Sequence, residues 1–217
     1  MLLVEDSMTR EVVTLAPGTT AGEALALCRE RRIRHLPVVV EGELVGMISD
    51  RDLRLATPVL GDAARSEALE RILVREVMST DVLTARPEDP IEVAANTMRE
   101  CKIGCLPVLD DGGMVGIISS SDVMEALVYL VGAHEPGSRM VVAIPDRPGA
   151  LAGAAGVFGI CDVNIVSVVA GPVSESLPGE RLAVFRIDTI NPGETVERLA
   201  EAGYTVLWPP PRETAPA

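Results

Sequence analysis

The sequence LPVVVEGELVGMISDRD at residues 36–52 returns as LPVLDDGGMVGIISSSD at residues 106–122, which is 70 positions later. The match extends in both directions, from Val4–Ala56 onto Val74–Ala126, without an insertion or a deletion. A repeat of this size is typical of stacked units that cannot bury their apolar faces alone. We therefore predict two copies of one small unit that pack on each other and form sites between them.

Each copy predicts the order strand, helix, strand, strand, helix. A capping box at Thr20 and Glu23 predicts a helix that runs to about Arg31. In the second copy Asp89 and Pro90 replace this box, and we expect Pro90 at the first helical position. The other expected elements are strands at 12–15, hairpins at 36–48 and 106–118, helices that begin at Ser49 and Ser119, a linker at 57–61 and a connecting helix at 62–74.

The composition indicates a folded chain without a nucleic-acid or membrane partner. With 47% hydrophobic residues among 217, the chain can build a core in each of two or three small domains. A net charge of −13 would repel phosphate backbones, and an aromatic content of 2% offers no platform for stacked bases. No apolar run reaches the roughly 18 residues of a membrane span, and no secretory leader precedes the repeat. We predict a cytoplasmic protein.

The sequence contains no recognisable catalytic or metal-binding set. The four cysteines form no C-x-x-C pair and none occupies a matched position in the two copies, so we expect reduced thiols rather than disulfides or a zinc site. Two histidines are too few for a histidine-based metal centre. There is no Gly-x-Ser-x-Gly elbow, P-loop lysine or HExxH motif. We expect neither an enzyme nor a catalytic cofactor.

The most informative motif is Ser-x-x-Asp after a Gly-x-Ile strand, at Ser49 and Asp52 and again at Ser119 and Asp122. A strand that runs into the start of a helix exposes unpaired amides, which favour an anion. The serine can reach a phosphate, and the aspartate can accept two hydrogen bonds from a vicinal diol such as ribose. The alternative is that Ser-x-x-Asp is only a capping box. Its occurrence in both copies favours a binding role.

This doubled pattern, with Thr-x-x-Pro, Leu-Pro-Val and Val-Gly-x-Ile-Ser-x-x-Asp in each copy, resembles a pair of CBS domains, the Bateman module, over about residues 1–130. The resemblance implies that adenosine-containing ligands, such as AMP, ADP, ATP or S-adenosylmethionine, bind in two clefts between the repeats. In that family each cleft takes its serine and aspartate from one repeat and its adenine-lining residues from the other. One cleft would use Ser49, Arg51 and Asp52 with Thr84, Ile103, Gly104 and Cys105; the other would use Ser119, Ser121 and Asp122 with Thr14, Ile33, Arg34 and His35; Pro37 and Pro107 of the two Leu-Pro-Val motifs complete the set.

The resemblance also implies that the two clefts differ. In the family, phosphates are often met by the two residues before Leu-Pro in the repeat that supplies the aspartate. Those residues are Arg34 and His35 in the first copy, but Gly104 and Cys105 in the second. We therefore predict that the cleft of Asp52 prefers a phosphorylated ligand, while that of Asp122 binds weakly or takes a less anionic one. The alternative is that Arg34, like Arg31 and Arg32, is only a cation at a solvated helix end.

The C-terminal part has a pattern of its own. Its predicted order is βαββαβ, a ferredoxin-like arrangement, and the sequence Asp146-Arg147-Pro148-Gly149 stands at the first strand-to-helix junction. The region resembles an ACT domain over about residues 138–208, which implies an amino-acid effector at the interface of two copies. By that resemblance the effector site is lined by Asp146, Arg147, Gly149, Ala150, Leu151, Asn164 and Ile165. The alternative is an ordinary turn in a domain that only dimerises.

The predicted fold class is therefore mixed α and β, with CBS domains at 1–60 and 61–131, an ACT domain at 138–208 and a disordered, proline-rich tail at 209–217. A CBS pair followed by an ACT domain is similar to bacterial proteins named for acetoin utilization. The predicted function is a non-enzymatic regulatory sensor that binds adenosine nucleotides between the CBS domains, with an amino acid as a second ligand at the ACT domain, and that acts as a homodimer. The alternative is a dimerising scaffold, or an inhibitory subunit of a separate metabolic enzyme, whose clefts have lost their ligands.

Overall fold

The computed structural model describes residues 2–56, 62–173 and 176–210, with side chains omitted for 62–66. The chain forms two compact units, Met1–Ala126 and Leu127–Ala217. The predicted linker at 57–61 and most of the predicted disordered tail lie outside the described residues.

The first unit contains two antiparallel hairpins, as the sequence predicts. Strands β1 and β2 pair in one two-stranded sheet, and β3 and β4 pair in the other with the same register and the same bulge. The elements are α1 (Val4–Ser7), α2 (Ala21–Arg31), β1 (His35–Val40), β2 (Glu43–Ser49), α3 (Asp50–Leu55), α4 (Asp62–Arg71), α5 (Val74–Val77), α6 (Ile91–Cys101), β3 (Cys105–Asp110), β4 (Gly113–Ser119) and α7 (Ser120–Leu130).

The strand expected at 12–15 is much shorter than predicted. Only Leu15 pairs, in a parallel bridge with Val38, and Ala85 pairs with Val108 in the same way. The amide of Leu15 donates to Pro37, and the amide of Val39 donates to Leu15. The next donor in this ladder is at position 17, a proline that has no amide hydrogen, so the pairing cannot continue after Leu15. Residues 12–14, before Leu15, form no strand pairing.

The two predicted helix starts differ in outcome. Thr20 caps α2 as expected: its hydroxyl accepts from the Glu23 amide at 3.2 Å, and its own amide donates to the Glu23 carboxylate at 2.9 Å. The prediction for the second copy was wrong. Pro90 is the N-cap rather than the first helical residue, and Asp89 accepts from the Arg86 amide at 2.7 Å instead of capping α6.

Each apolar core of the first unit takes residues from both copies of the repeat. The core around β1 and β2 includes Val74 and Met78, which begin the second copy. The core around β3 and β4 includes Val4 and Met8, which begin the first. Main-chain bonds follow the same exchange, because Thr9 pairs with Ile117 and Ser79 with Met47. The two copies therefore exchange their first segments, which places each cleft wall beside the other copy.

A pair of glycines permits this exchange. A Cβ atom on Gly46 would lie 2.6 Å from the sulfur of Met78, and one on Gly116 would lie 2.6 Å from the sulfur of Met8. The same Cβ atoms would lie 3.0 Å from the carbonyl oxygen of Ser79 and 3.1 Å from that of Thr9, respectively. The identical Val-Gly of the two copies thus allows the exchanged segment to lie directly on the strand.

The second unit has the predicted βαββαβ order. Its four-stranded antiparallel sheet has the order β6-β7-β5-β8, and its core joins one face of the sheet to the two helices, with the Phe158 and Phe185 rings in contact at a tilt of 37°. The elements are β5 (Ser138–Pro145), α8 (Ala150–Ile160), β6 (Ile165–Val173), β7 (Glu180–Ile187), α9 (Gly193–Glu201) and β8 (Thr205–Trp208).

Candidate functional site

Among the described residues of the first unit, two clefts are each built from both copies of the repeat. The Asp52 cleft has a volume of about 540 Å³, and the Asp122 cleft about 250 Å³. The Asp52 cleft is lined by Arg34, His35, Met47, Ile48, Ser49, Asp50, Arg51, Asp52, Ser79, Asp81, Val82, Leu83, Lys102, Ile103, Gly104, Cys105, Pro107 and Ser120. The Asp122 cleft is lined by Thr9, Glu11, Val12, Val13, Arg32, Ile33, Arg34, His35, Cys105, Ile117, Ser119, Ser121 and Asp122.

The two linings correspond residue by residue. Every residue of the Asp122 cleft has its counterpart, 70 positions away, in the wall of the Asp52 cleft. Glu11 corresponds to Asp81, Arg32 to Lys102 and Ser121 to Arg51, for example. A chance surface depression would not reproduce its lining in this way. The clefts are therefore one site geometry built twice around a pseudo-two-fold relation.

Most of the predicted cleft residues lie together in these cavities. Thr14 and Thr84 do not line them, and the apolar residues that precede each threonine, such as Val13 and Leu83, form the wall instead. Pro107 lines the Asp52 cleft, but Pro37 lines neither cleft. Sequence reasoning missed three polar pairs related by the offset of 70, because their place in the walls depends on how the two copies pack: Thr9 with Ser79, Glu11 with Asp81, and Arg32 with Lys102.

Both aspartates form capping boxes, as the alternative interpretation required. Asp52 Oδ2 accepts from the Ser49 amide at 2.9 Å and from the Ser49 hydroxyl at 2.6 Å. Asp122 Oδ2 accepts from the amide and hydroxyl of Ser119 at 2.7 and 2.8 Å. Among the described residues, Oδ1 of neither aspartate receives a hydrogen bond from the protein. The cap thus fixes each carboxylate and leaves one oxygen available for a ligand.

Four cations line the clefts, and within the described part of the chain none of them has a carboxylate partner at ion-pairing distance. Arg51 and Lys102 lie only in the Asp52 cleft, Arg32 lies only in the Asp122 cleft, and Arg34 lines both. Arg32 is exposed at the C-cap of α2, as expected for a solvated helix end, and from this left-handed position it also lines the Asp122 cleft. Unpaired cations of this kind suit an anionic ligand.

The wall common to both clefts includes His35 and Cys105. Burial, together with the neighbouring Arg34, lowers the pKa of His35, so its imidazole is neutral at pH 7. Burial raises the pKa of the Cys105 thiol to about 12, so this cysteine is not a thiolate nucleophile. These groups form an uncharged partition, and neither is poised for chemistry.

The residues predicted for the effector site of the second unit fall into two groups. Asp146 and Arg147 follow β5, and Gly149 begins α8 in a left-handed conformation with φ +84°. Asn164 and Ile165 begin β6, which the strand register aligns with the start of β5 rather than its end. The two groups thus lie at opposite ends of strands eight residues long, about 24 Å apart. A single chain does not bring them together.

Both groups are already engaged within the chain. Arg181 forms an ion pair with Asp146, and the Tyr204 hydroxyl donates to the carbonyl oxygen of Ala150 at 3.4 Å. The main-chain amide of Asn164 donates to the Asp188 carboxylate at 3.0 Å. Arg147 and Leu151 remain exposed.

Comparison with known protein families agrees with this architecture. The CBS-domain family model matches residues 4–58 and 74–129, and a TTHA0829-like ACT-domain model matches residues 136–208. The chain belongs to the CBS-domain family, as a pair of CBS domains followed by a TTHA0829-like ACT domain. The resemblance to a CBS pair followed by an ACT domain, and the mixed α and β fold predicted from the sequence, are confirmed.

Relatives resemble mainly the first unit. The CBS domain-containing protein YhcV of Bacillus subtilis is 35% identical over 123 residues, which cover 57% of this chain and 84% of YhcV. A solved acetoin utilization protein (AcuB) from Vibrio cholerae, described as putative, is 37% identical, with a TM-score of 0.53 over 63% of this chain and 99% of that one.

Two further solved structures contain adenosine-based ligands. The CBS pair of protein MJ0100, in complex with 5'-methylthioadenosine and S-adenosyl-L-methionine, is 28% identical, with a TM-score of 0.51 over 62% of this chain and 99% of that one. CBSX2 in complex with AMP is 29% identical, with a TM-score of 0.51 over 59% of this chain and 98% of that one.

Similarity to enzymes is confined to a part of them. A homoserine O-acetyltransferase of Methanohalobium evestigatum is 34% identical over 122 residues, but the match covers only 23% of that protein. In the part of the chain that the structure describes, no helix is long and apolar enough to cross a bilayer. Over the same residues, no cluster of three or more acidic, histidine or cysteine side chains could hold a metal ion.

Proposed function

We propose that this protein is a non-enzymatic regulatory sensor that binds adenosine-containing ligands in the Asp52 and Asp122 clefts. The observation that carries the proposal is the residue-by-residue correspondence of two open cavities, each with a fixed carboxylate and unpaired cations. Complexes of similar CBS pairs with AMP, S-adenosyl-L-methionine and 5'-methylthioadenosine support the ligand class.

Each cleft offers a separate surface for each part of a nucleotide. The free Oδ1 of Asp52 can accept hydrogen bonds from the ribose hydroxyls, because the Ser49 cap holds the carboxylate in place. Val82 and Ile103 provide aliphatic contacts for the adenine. This arrangement needs no aromatic side chain, in keeping with an aromatic content of 2%.

The Asp52 cleft is the proposed site for a phosphorylated ligand. Its volume of about 540 Å³ lies within the range of roughly 300–1,000 Å³ usual for small-molecule sites, while about 250 Å³ lies below it. Arg51 adds a cation to this cleft at the position that Ser121 occupies in the other. The Asp122 cleft is proposed to bind AMP more weakly or to take a less anionic adenosyl ligand.

The second unit is proposed to act through a dimer. Because the two groups of effector residues lie at opposite ends of one sheet, a complete site requires a second chain that supplies the missing group. An amino acid is the proposed effector, because ACT domains commonly bind amino acids. Similarity to the AcuB protein of Vibrio cholerae supports acetoin utilization as the proposed metabolic setting.

Calorimetric titration with AMP and S-adenosylmethionine tests the proposal. We expect Asp52→Ala to weaken AMP binding at least about tenfold, since a hydrogen bond to a charged group contributes about 1.5–3 kcal/mol. Asp122→Ala should cause a smaller loss. Glu23→Ala is the matched control, because Glu23 belongs to an equivalent capping box at the start of α2 and lines neither cleft.

The outcomes separate the nucleotide proposal from its asymmetry. If neither ligand binds the wild-type chain, or if Glu23→Ala weakens binding as much as Asp52→Ala, the nucleotide proposal is refuted. If Asp52→Ala and Asp122→Ala lose the same affinity for AMP, the ligand class stands but the difference between the clefts does not.

A further inference from the structure

We infer that Arg34 is a specificity-determining residue shared by the two clefts, so that an anionic ligand in one cleft weakens the binding of a second anionic ligand in the other. The inference rests on the proposed function and adds its regulation. Arg34 lines both cavities, whereas the other three cations each line only one.

The repeat provides one arginine where two clefts would require two. The counterpart of Arg34 in the second copy is Gly104, although the main chain is the same at both positions. The Asp50 amide donates to the Arg34 carbonyl oxygen at 2.9 Å, and the Ser120 amide donates to that of Gly104 at 3.0 Å. The asymmetry is therefore confined to the side chain.

The imidazole of His35 occupies the space that a side chain at position 104 would need. A Cβ atom built on Gly104 would lie 2.6 Å from His35 Nε2 and 2.7 Å from Cε1. Any residue larger than glycine must displace the half-buried ring from the shared wall. The packing of His35 therefore favours a single arginine.

Arg34 is free to serve either cleft. Its side chain is exposed, and within the described residues it forms no ion pair. A phosphate in the Asp52 cleft can engage it together with Arg51 and Lys102, and one in the Asp122 cleft together with Arg32. One guanidinium cannot be centred on two phosphates in separate cavities, so the first anion to bind leaves the other cleft with fewer cations.

Repulsion between the two ligands acts in the same direction. Two phosphates that face one guanidinium from opposite sides lie within about a Debye length, roughly 8 Å at physiological ionic strength, and their charges are incompletely screened. The weakening must be mutual, because a coupling free energy between two sites is reciprocal. A neutral nucleoside such as adenosine makes no demand on Arg34 and should show no coupling.

The test compares each cleft alone with the two together. Calorimetry of Asp122→Ala gives the AMP affinity of the Asp52 cleft, and Asp52→Ala gives that of the Asp122 cleft. In the wild-type chain, we expect the weaker AMP step to have a Kd about tenfold higher than the same cleft shows alone. We refer to this difference in Kd as the gap. For AMP the gap should disappear when Arg34→Ala is added to each of these chains, and adenosine should show no gap in any variant.

Arg29→Ala is the matched control, because Arg29 is exposed on α2 and lines neither cleft. It should leave the gap unchanged. Adenosine binding by the Arg34→Ala variant shows that the variant is folded. A weaker AMP step equal to the single-cleft value, or a gap that survives Arg34→Ala, overturns the inference and leaves nucleotide binding intact. If the wild-type chain binds neither AMP nor adenosine, the proposed function itself is refuted.

Discussion

At the scale of single residues, Asp52 and Asp122 show that an aspartate that caps a helix can keep one oxygen available for a ligand. Each carboxylate directs one oxygen to its serine and keeps the other available. Residue spacing could predict the cap and the motif, because both are local. It could not predict that Arg32 lines a cleft, since the position of Arg32 depends on how the two copies pack. Arg34 was placed at the clefts by the resemblance to CBS domains rather than by residue spacing.

His35 makes the stability of the folded chain depend on pH. Burial lowers its pKa in the folded chain, while the unfolded chain has the ordinary value of about 6.5. The unfolded state therefore binds the proton more readily as the pH falls. The contribution of His35 to stability is fully present above about pH 6.5 and decreases as the pH falls towards the folded-state pKa.

We predict that the wild-type chain loses more unfolding free energy between pH 7.5 and 5.5 than His35→Gln, which cannot titrate. Urea unfolding at a series of pH values measures this difference. His134→Gln serves as the control for removal of a histidine outside the clefts. Parallel pH profiles for the wild type and His35→Gln would show that the imidazole is not held neutral by its surroundings.

At the scale of helices and strands, the sequence correctly predicted those elements that are determined by residues close together in the chain. The Thr20 capping box and the two apolar runs on either side of each glycine-containing turn are local signals, and the capped helix and the two hairpins are present in the structure. Pro17 also gave a local signal, but its effect on the pairing of Leu15 depends on a strand distant in sequence. The short helices α1 and α5 were missed because four residues give too short a periodic pattern.

The exchange of first segments could not be predicted from the repeat. Because Val4 corresponds to Val74 and Met8 to Met78, packing on their own copy or on the other copy would bury the same kinds of apolar side chains. Local propensity and hydrophobic pattern are equal in the two arrangements. The exchange nevertheless brings Thr9 and Ser79 into the cleft walls, and sequence reasoning missed both residues.

At the scale of the whole molecule, the second unit predicts association of two chains. The residues predicted for its effector site lie at opposite ends of the sheet, and its edge strand β6 exposes Val166, Val168 and Val169. Exposed strand edges of this kind favour pairing with another chain. Light scattering of the purified chain should give twice the mass of one chain. A single-chain mass across the concentration range of the binding experiments would refute the dimer.

The central claim is that adenosine-containing ligands occupy the clefts between the two copies of the repeat. A crystal structure of the wild-type chain grown with saturating AMP tests it most directly. We predict the ribose hydroxyls at hydrogen-bonding distance from Asp52 Oδ1, the adenine against Val82 and Ile103, and the phosphate beside Arg34. Density for AMP elsewhere on the chain, with the Asp52 cleft occupied only by water, would contradict the claim.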